Sequence, residues 1–332
     1  MSSAVLEAAG TAASPGRRRH GGLGALGYLG ALIMLAYFSV ASDSFLTASN
    51  LVTIAGQAAV YAIAGFGLAI VVIVGGDDVV NGGIDLSIGA IAGLTGAVTA
   101  VLLGDGISAP VAIVAGLVAG LVVGGVNATA VVLGVRPLLT TLATAAAAGS
   151  LALVITGNAK VVVERASFVS FRDADLLGVP ASVLVLALVY VVVAVVMGRT
   201  PWGVACYAVG QNPTAARVAG ISPRRYVAAS YLVAALLGGL AGVLFVVRLS
   251  AAVPDLGDQI LLDVLLTTFI SVVFSRRLTV TVTGVLVGAL FVTALSSGFT
   301  QVGLDSQWVG VVKGVLILGV LAITAIRPGG GR

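Results

Sequence analysis

Residues 51–74 read LVTIAGQAAVYAIAGFGLAIVVIV, an apolar stretch without a charged side chain. A helix needs about 20 mostly apolar residues to cross the hydrocarbon core of a membrane. The stretch is also continuous, whereas the strands of a membrane β-barrel are segments of about ten residues in which polar and apolar residues alternate. Residues 51–74 therefore predict a membrane-spanning α-helix and exclude a β-barrel.

Similar apolar runs, bounded by Gly, Pro, Asn and charged residues, recur on both sides of this stretch. The eighth of them is the shortest. The predicted spans are Leu23–Ala41, Leu51–Val74, Ile84–Leu103, Val111–Leu133, Leu138–Thr156, Ala181–Met197, Val227–Val247, Ile260–Phe274, Leu278–Leu295 and Val309–Ile326. The chain is therefore expected to be all-α, a polytopic transmembrane helical bundle of about 10 spans.

The composition agrees with this fold class. Of the 332 residues, 59% are hydrophobic and 9% are charged, whereas a soluble domain is about 25% charged. A net charge of +4 could suggest nucleic acid, but the arginines stand singly or in short groups between apolar runs, so no nucleic-acid partner is expected. The single Cys206 and single His20 exclude an internal disulfide and argue against metal or redox chemistry, so neither metal nor cofactor is expected.

The positions of Lys and Arg predict the orientation. Most lie in alternate loops, which places both termini and the loop at 198–226 in the cytoplasm. The run at 17–20 resembles the start of a signal peptide, but the apolar run after it is too long and no small-residue cleavage site follows. We expect a disordered cytoplasmic tail at 1–22, a membrane domain at 23–326 and a short cytoplasmic tail at 327–332. The opposite loops are acidic, which suits either simple solvation or docking of a partner.

The loop at 198–226 contains a predicted short helix. Asn212 precedes Pro213, the usual order of a helix cap and first turn, and Gly220 follows small residues where the helix would end. A rigid capped helix between two spans suits insertion into a pocket of another protein.

A second motif, GGIDLSIG at 82–89, combines paired glycines with a carboxylate. Glycines allow a bend or a close approach, and Asp85 with Ser87 could cap the following helix. An acidic residue at a membrane segment is costly, which makes Asp85 a functional candidate, although a cap could be its whole role. The preceding Asp77 and Asp78 receive no role.

Both motifs resemble the ribose-type, carbohydrate-importing branch of the bacterial ABC transporter permeases. The segment GQNPTAARVAGI at 210–221, which we call the coupling segment, is similar to the family's G-x-N-x-x-A-A-x-x-x-G-I loop that contacts the ATP-binding subunit. The signature segment at 82–89 is similar to the family's G-G-I-D-L-S-V-G. Residues 135–144 and Lys313-Gly314 extend the resemblance over about 45–325. It implies coupling to an ATPase for Gly210, Asn212, Ala215, Ala216, Gly220 and Ile221, and a signature or gate role for Gly82, Gly83, Asp85, Ser87 and Gly89.

The chain departs from the family at 257–277, where a glycine pair is missing. Glycines there would permit close packing or a helix break near the pathway. One hypothesis is that the chain is the divergent half of a heterodimeric pore.

The function expected from this resemblance is that of a permease subunit for a monosaccharide or similar solute in the bacterial inner membrane. The chain carries no phosphate-binding Walker loop or catalytic triad, so ATP hydrolysis is assigned to separate subunits and no enzyme activity is expected. The expected partners are ATP-binding subunits, a solute-binding protein and a second permease chain.

The solute pathway is expected to be lined by polar residues within the predicted spans. Their Ser and Thr members can equally bond back to their own helix. These residues are Gln57, Asn127, Thr140, Thr141, Thr144, Thr267, Thr268 and Ser271.

Other functions stay open at this stage. Permeases for nucleosides or branched-chain amino acids are the nearest alternatives. A stand-alone carrier or channel would need ionisable groups at mid-membrane depth, for which only Asp263, Lys313 and Asp85 qualify. A non-transporting scaffold would not need the capped helix.

Overall fold

The computed structural model describes residues 21–76, 83–176, 178–275 and 279–325. Its helices are α1 (Gly21–Ala41), α2 (Ala48–Gly75), α3 (Ile88–Gly104), α4 (Ala109–Val132), α5 (Pro137–Thr156), α6 (Ala166–Asp173), α7 (Ala181–Arg199), α8 (Pro201–Gln211), α9 (Pro213–Val218), α10 (Pro223–Leu249), α11 (Leu256–Ile270), α12 (Val282–Gln301) and α13 (Ser306–Ala325). The strands are β1 (Val161–Val162), β2 (Asp175–Leu176), β3 (Val179–Pro180) and β4 (Ala251–Ala252).

Every predicted span overlaps one of these helices, which confirms the all-α fold class. Six helices, α2, α4, α5, α7, α10 and α12, are long and apolar enough to cross a membrane, and parts of α1, α3 and α13 form shorter apolar helices. The number of spans, about ten, stays a prediction. Some predictions concern positions outside the described residues, namely residues 1–20, Asp77, Asp78, Gly82, residues 276–278 and residues 326–332.

Helix α2 forms the centre of the bundle and is almost wholly buried from Ala58 to Val74. Helices α10 and α12 pack along it, α3 and α4 pack against α10, and α11 closes the space between α2, α3 and α12. Helices α4, α5 and α7 instead expose most of their apolar surface. In a membrane such surface faces lipid or another protein chain.

Helix α4 contacts the bundle through a stripe of glycines. Gly116, Gly120 and Gly124 recur every fourth residue and are buried, whereas the neighbouring valines are exposed. A Cβ on Gly120 would lie 2.7 Å from Thr95 Oγ1. Small residues at this spacing let membrane helices approach closely. The same stripe continues to Asn127 and points it into the bundle.

Contacts between the described loops form two groups. At one end Ser42 bonds Gln301, and β1 pairs with β4 through Val161↔Ala252. Arg165 at this end donates to backbone oxygens of the turn between α3 and α4. At the other end, the C-terminal ends of α2 and α4 meet the start of α5 and the segment from α8 to α10. Which end faces the cytoplasm stays a prediction.

Several predicted boundaries differ from those of the helices. The third span was predicted from Ile84, but α3 begins at Ile88 because Asp85 Oδ1 accepts the Ser87 backbone N–H and holds the preceding residues in a turn. The eighth was predicted to reach Phe274, but α11 ends at Ile270, after which turn bonds follow. The ninth begins at Val282, where Thr281 caps the helix.

Most of the predicted loop at 198–226 is helical. Helix α7 continues to Arg199, α8 follows at once, and α10 already begins at Pro223. Helix α8 was missed, although Thr200-Pro201 has the same cap-then-proline order as Asn212-Pro213. The short helix predicted after Asn212 is confirmed as α9.

Candidate coupling segment and signature site

Helix α9 in the coupling segment is closed at both ends by hydrogen bonds. Asn212 Oδ1 accepts the Ala215 backbone N–H at 2.9 Å, which caps the first turn. At the other end, the Gly220 N–H donates to the Arg217 carbonyl at 3.0 Å and the Ile221 N–H donates to the Ala216 carbonyl at 2.9 Å. This pair of bonds is the Schellman motif, which requires a left-handed residue, and Gly220 has φ +82°. The glycine in the coupling segment is therefore a helix stop.

Helix α9 projects from the bundle. Ala216 is buried against it, whereas the rest of α9 is exposed, and Val218 is 87% exposed. Arg217 and Arg224 border a groove at the end of the helix. The exposed face therefore combines an apolar side chain with basic groups.

The coupling segment contacts the end of α2 through backbone atoms. A Cβ on Gly210 would overlap the Ile73 carbonyl oxygen, and a Cβ on Gly76 would lie 2.7 Å from the Gly210 carbonyl oxygen. Gly76 is also the C-terminal cap residue of α2 and has a positive φ of 85°. Only glycine allows this approach, so the last turn of α8 is fixed to the last turn of α2.

Cys206 lies in α8 beside this contact and is fully buried. Burial raises the pKa of its thiol to about 12. The thiol therefore stays protonated and unreactive, as expected for a packing residue.

The signature segment meets the same turn of α2 from another side. A Cβ on Gly83 would lie 2.6 Å from the Val71 carbonyl oxygen and 3.2 Å from Gly75 Cα. The last turn of α2 is therefore held between Gly83 and Gly210.

Asp85 of the signature begins a buried chain of hydrogen bonds. Its Oδ1 accepts from the Ser87 backbone N–H at 2.9 Å and from Ser87 Oγ at 2.5 Å. Asn127 Nδ2 donates to Ser87 Oγ at 2.7 Å, and Thr144 Oγ1 donates to Asn127 Oδ1 at 2.7 Å. Thr141 Oγ1 also donates to the Ile84 carbonyl at 3.3 Å. These hydrogen bonds join the signature segment to α4 and α5.

The predicted cap by Ser87 was wrong. Its side chain makes no cap bond to α3 because its hydroxyl donates to Asp85 and accepts from Asn127. The last signature residue, Gly89, lies on α3 and contacts Gly257 of α11.

The other predicted pathway residues make no bond to the described residues of the signature segment or to Asn127. Thr140 and Ser271 bond back to carbonyls of their own segments. Thr268 donates to the Gly65 carbonyl of α2 at 3.4 Å, and Gln57 donates to the Tyr61 hydroxyl at 2.9 Å. Thr267 is fully buried. The fold thus connects three of the predicted pathway residues, Asn127, Thr141 and Thr144, to the signature segment by hydrogen bonds.

A cavity of about 390 Å³ lies between α3, α5 and the start of α11. Its walls combine small residues such as Gly93 and Ala146 with larger apolar ones, and the polar residues that line it are Ser150, Thr156, Asp255 and Asp258. None of the predicted pathway residues lines it.

Asp263 and Lys313 form an ion pair that the sequence did not predict. Lys313 Nζ of α13 lies 2.5 Å from Asp263 Oδ1 of α11, and the two side chains are 11% and 8% exposed. Asp263 also interacts with the buried Tyr61 hydroxyl of α2. The sequence marked both charges as unusual in a span, but their pairing depends on the packing of α13 against α11. Among the described residues, no three His, Cys, Asp or Glu side chains come together as a metal site.

These features define a multi-pass α-helical membrane protein in which a capped surface helix follows a segment that contacts the last turn of α2, the same turn that the buried polar signature contacts. Residues 50–321 match the family described as the branched-chain amino acid transport system / permease component, and the chain belongs to this permease family.

Curated relatives agree with the resemblance to ribose-type ABC permeases. The chain is 31% identical over 294 residues to a ribose import permease of Bacillus subtilis, covering 88% of this chain and 89% of the relative. It is 32% identical over 292 residues to the ribose import permease of Escherichia coli K12, covering 86% and 89%. The identity to a D-allose transport system permease of Escherichia coli K12 is 28% over 295 residues, 88% of each chain. No solved structure matches.

Proposed function

We propose that the chain is the membrane-spanning subunit of an ABC importer for a monosaccharide or a similar small polar solute. Family membership supports the class, and the ribose and D-allose permeases among the relatives support the solute. One observation carries the proposal: the capped helix α9 follows a segment that is fixed, through Gly210, to the same turn of α2 that Gly83 contacts.

Helix α9 binds the ATP-binding subunit. Its two caps make it rigid, and its exposed face offers Val218 and Arg217 to a partner. A rigid element loses little conformational entropy on binding and moves as a unit when it is pushed. ATP hydrolysis belongs to the partner subunit.

Movement of α9 is transmitted through backbone contacts. A push on α9 moves the end of α8, and Gly210 passes the displacement to Ile73 and Gly76 of α2. Because Gly83 contacts the same turn, the displacement reaches Asp85 and the hydrogen bonds to α4 and α5. Two discrete arrangements of these hydrogen bonds would correspond to the two access states of the transporter.

The orientation follows from the charged loops. We place α8, α9 and both termini on the cytoplasmic side of the bacterial inner membrane, with about ten spans. The acidic end, which includes Asp255 and Asp258, faces outward and receives a solute-binding protein. The exposed surfaces of α4 and α5 leave room for a second permease chain, identical or divergent, around the shared pathway.

Extraction of the protein from its native membrane in mild detergent, trapped with a non-hydrolysable ATP analogue, tests this function. Mass spectrometry should find an ATP-binding subunit in stoichiometric amount and a solute-binding protein. That binding protein can then be screened against sugars, nucleosides and branched-chain amino acids. Binding of an amino acid or a nucleoside alone would refute the sugar assignment. Recovery of the chain only with copies of itself would favour a stand-alone carrier or channel.

A further inference from the structure

A basic cavity lies at the end of the bundle where Ser42 bonds Gln301. Its volume is about 190 Å³, and it is bounded by the starts of α2 and α7, the end of α6 and the last turns of α10. Two arginines and two hydroxyl residues line it, namely Arg172, Arg248, Thr53 and Ser182. The remaining wall is formed by Gly56 and by the apolar residues Val52, Phe171, Pro180, Leu244 and Val247. The cavity thus combines basic and apolar groups.

Arg248 is half-buried and has no compensating carboxylate. Within the described residues its guanidinium forms no ion pair, and its one hydrogen bond is a long one, from Nη1 to the Thr53 carbonyl at 3.4 Å. Arg172, by contrast, pairs with Asp173 and donates to Ser250 Oγ. A guanidinium has five N–H donors, so most donors of Arg248 are free for a ligand. Charged side chains in membrane spans normally have a partner, and Arg248 lacks one.

The polar groups of α10 and α7 converge over Gly56 of α2. A Cβ on Gly56 would lie 3.1 Å from Arg248 Nη1 and 3.6 Å from Ser182 Oγ. The absence of a side chain at Gly56 therefore leaves space between these two groups. The Ser182 hydroxyl makes no hydrogen bond within the described part of the chain, so it is a second available donor. Two donors that face one space, one of them charged, suit an anion.

The cavity lies at the level where the spans end. Val52, Ser182 and Arg248 lie within the first two turns of α2, the first turn of α7 and the last turn of α10. The ends of membrane spans lie near the lipid head groups. Helix α7 exposes most of its apolar surface, and Val52 and Phe171 in the cavity wall are 39% and 36% exposed. A ligand here therefore contacts both a cation and lipid-facing apolar surface.

We propose that this cavity binds the phosphate group of an anionic phospholipid. Its phosphate oxygens accept hydrogen bonds from the Arg248 guanidinium and the Ser182 hydroxyl, and its glycerol and first acyl carbons pack on Val52 and Phe171. Arginine matches phosphate oxygens in a bidentate manner, and basic pockets between membrane helices bind lipid head groups. A carboxylate of a docking protein would neutralise Arg248 but would leave the lipid-facing apolar wall without a role. This inference goes beyond the proposed function, since it would hold for a permease of any solute.

Thermal unfolding of the full-length chain in a neutral detergent, with added phosphatidylglycerol or phosphatidylcholine, tests the site. A ligand that binds only the folded state raises the unfolding temperature. We expect phosphatidylglycerol to raise it by a few degrees more than phosphatidylcholine does, and Arg248→Gln to abolish this difference. Lys160→Gln is the matched control, because it removes one positive charge from an exposed residue of the same end that does not line the cavity. Equal responses to the two lipids in the unchanged chain, or an undiminished difference in Arg248→Gln, would overturn the proposal.

A second variant and two further measurements separate the lipid from other ligands. Ser182→Leu keeps Arg248 but fills the space for the phosphate, so it should also lose the difference between the lipids, and its retention there would contradict the site even if Arg248→Gln fails to fold. Inorganic phosphate alone should leave the unfolding temperature unchanged. A rise equal to that with phosphatidylglycerol would identify a free-anion site instead. Loss of solute-binding-protein association in Arg248→Gln with an intact lipid response would identify a protein-docking site, and either outcome would overturn the lipid assignment.

Discussion

Gly89 of the signature and Gly257 of α11 contact each other through their backbones. A Cβ on Gly257 would lie 2.8 Å from the Gly89 carbonyl oxygen and 2.9 Å from Ala90 Cα. The contact fixes the start of α11 against the start of α3. It also gives a reason for the glycine at the end of the signature, which a sequence pattern alone does not supply.

Substitution of Gly89 should therefore destabilise the bundle. A Cβ there would overlap the Gly257 carbonyl, and overpacking of a core typically costs about 1–3 kcal/mol. Gly89→Val should lower the thermal unfolding temperature in detergent. Gly104→Val on the same helix is the control, because a Cβ at Gly104 meets nothing within 4 Å. Equal unfolding temperatures for the two variants would show that the close contact is absent.

The hydrogen bonds from Asn127 should make the signature and α5 depend on each other. Asn127→Ala removes two buried hydrogen bonds, one to Ser87 Oγ and one from Thr144 Oγ1, and a hydrogen bond contributes about 0.5–1.5 kcal/mol to stability. Both hydroxyls keep another partner, since Ser87 donates to Asp85 and Thr144 donates to the Thr140 carbonyl. A double-mutant cycle of Asn127→Ala with Ser87→Ala should give a coupling of about 0.5–3 kcal/mol in unfolding free energy. Ser296→Ala is the control, since that hydroxyl bonds only to its own helix. Additive effects at Asn127 and Ser87 would exclude the bond between them.

The Asp263–Lys313 pair should matter for stability because both side chains are nearly buried. Removing one partner of a buried pair leaves an uncompensated charge and costs about 3–5 kcal/mol. Lys313→Met and Asp263→Asn should each lower the unfolding temperature, and the double variant should lower it less than either single change. The exposed pair Arg172–Asp173 is the control, and Arg172→Ala should have little effect. A double variant that is as unstable as the sum of the singles would argue against the pair.

The stop of helix α9 should be needed for transport but not for membrane insertion. Gly220→Val places a β-branched residue at φ +82°, which strains the turn and breaks the Schellman bonds. Asn212→Pro removes the cap side chain. Both variants should insert normally and lose solute uptake in membrane vesicles. Gly303→Val is the matched control, since Gly303 has φ +81°, open surroundings and a place at the opposite end of the bundle. Loss of uptake in Gly303→Val to the same degree would mean that strain alone explains the result.

Much of the fold was predictable because lipid imposes simple demands on a sequence. Apolar runs of span length located the helices, and Asn212, Pro213 and Gly220 located α9 through bonds between near neighbours in the chain. Predicted helix boundaries were wrong where a local side-chain hydrogen bond replaces a helical backbone hydrogen bond, as between Asp85 and Ser87. The apolar run continues through such a turn, so hydrophobicity alone does not show where the helix begins.

The candidate site was only partly predictable because its contacts join distant segments. Asn127 and Thr144 were selected as polar residues within spans, but the sequence could not join them to Ser87, which lies 40 residues before Asn127. Nor could it pair Asp263 with Lys313, or indicate that Gly210 packs on Gly76.

In the proposed mechanism, Gly210 transmits movement from α9 to the signature segment through the last turn of α2. Solute uptake and ATP hydrolysis should be measured together in proteoliposomes that contain the complex with Gly210→Val, with Gly198→Val as the control, because a Cβ at Gly198 meets nothing within 4 Å. We expect the Gly210 variant to assemble and hydrolyse ATP but to lose uptake, whereas the Gly198 variant should keep both activities. Uptake at the unsubstituted level in Gly210→Val would contradict this mechanism.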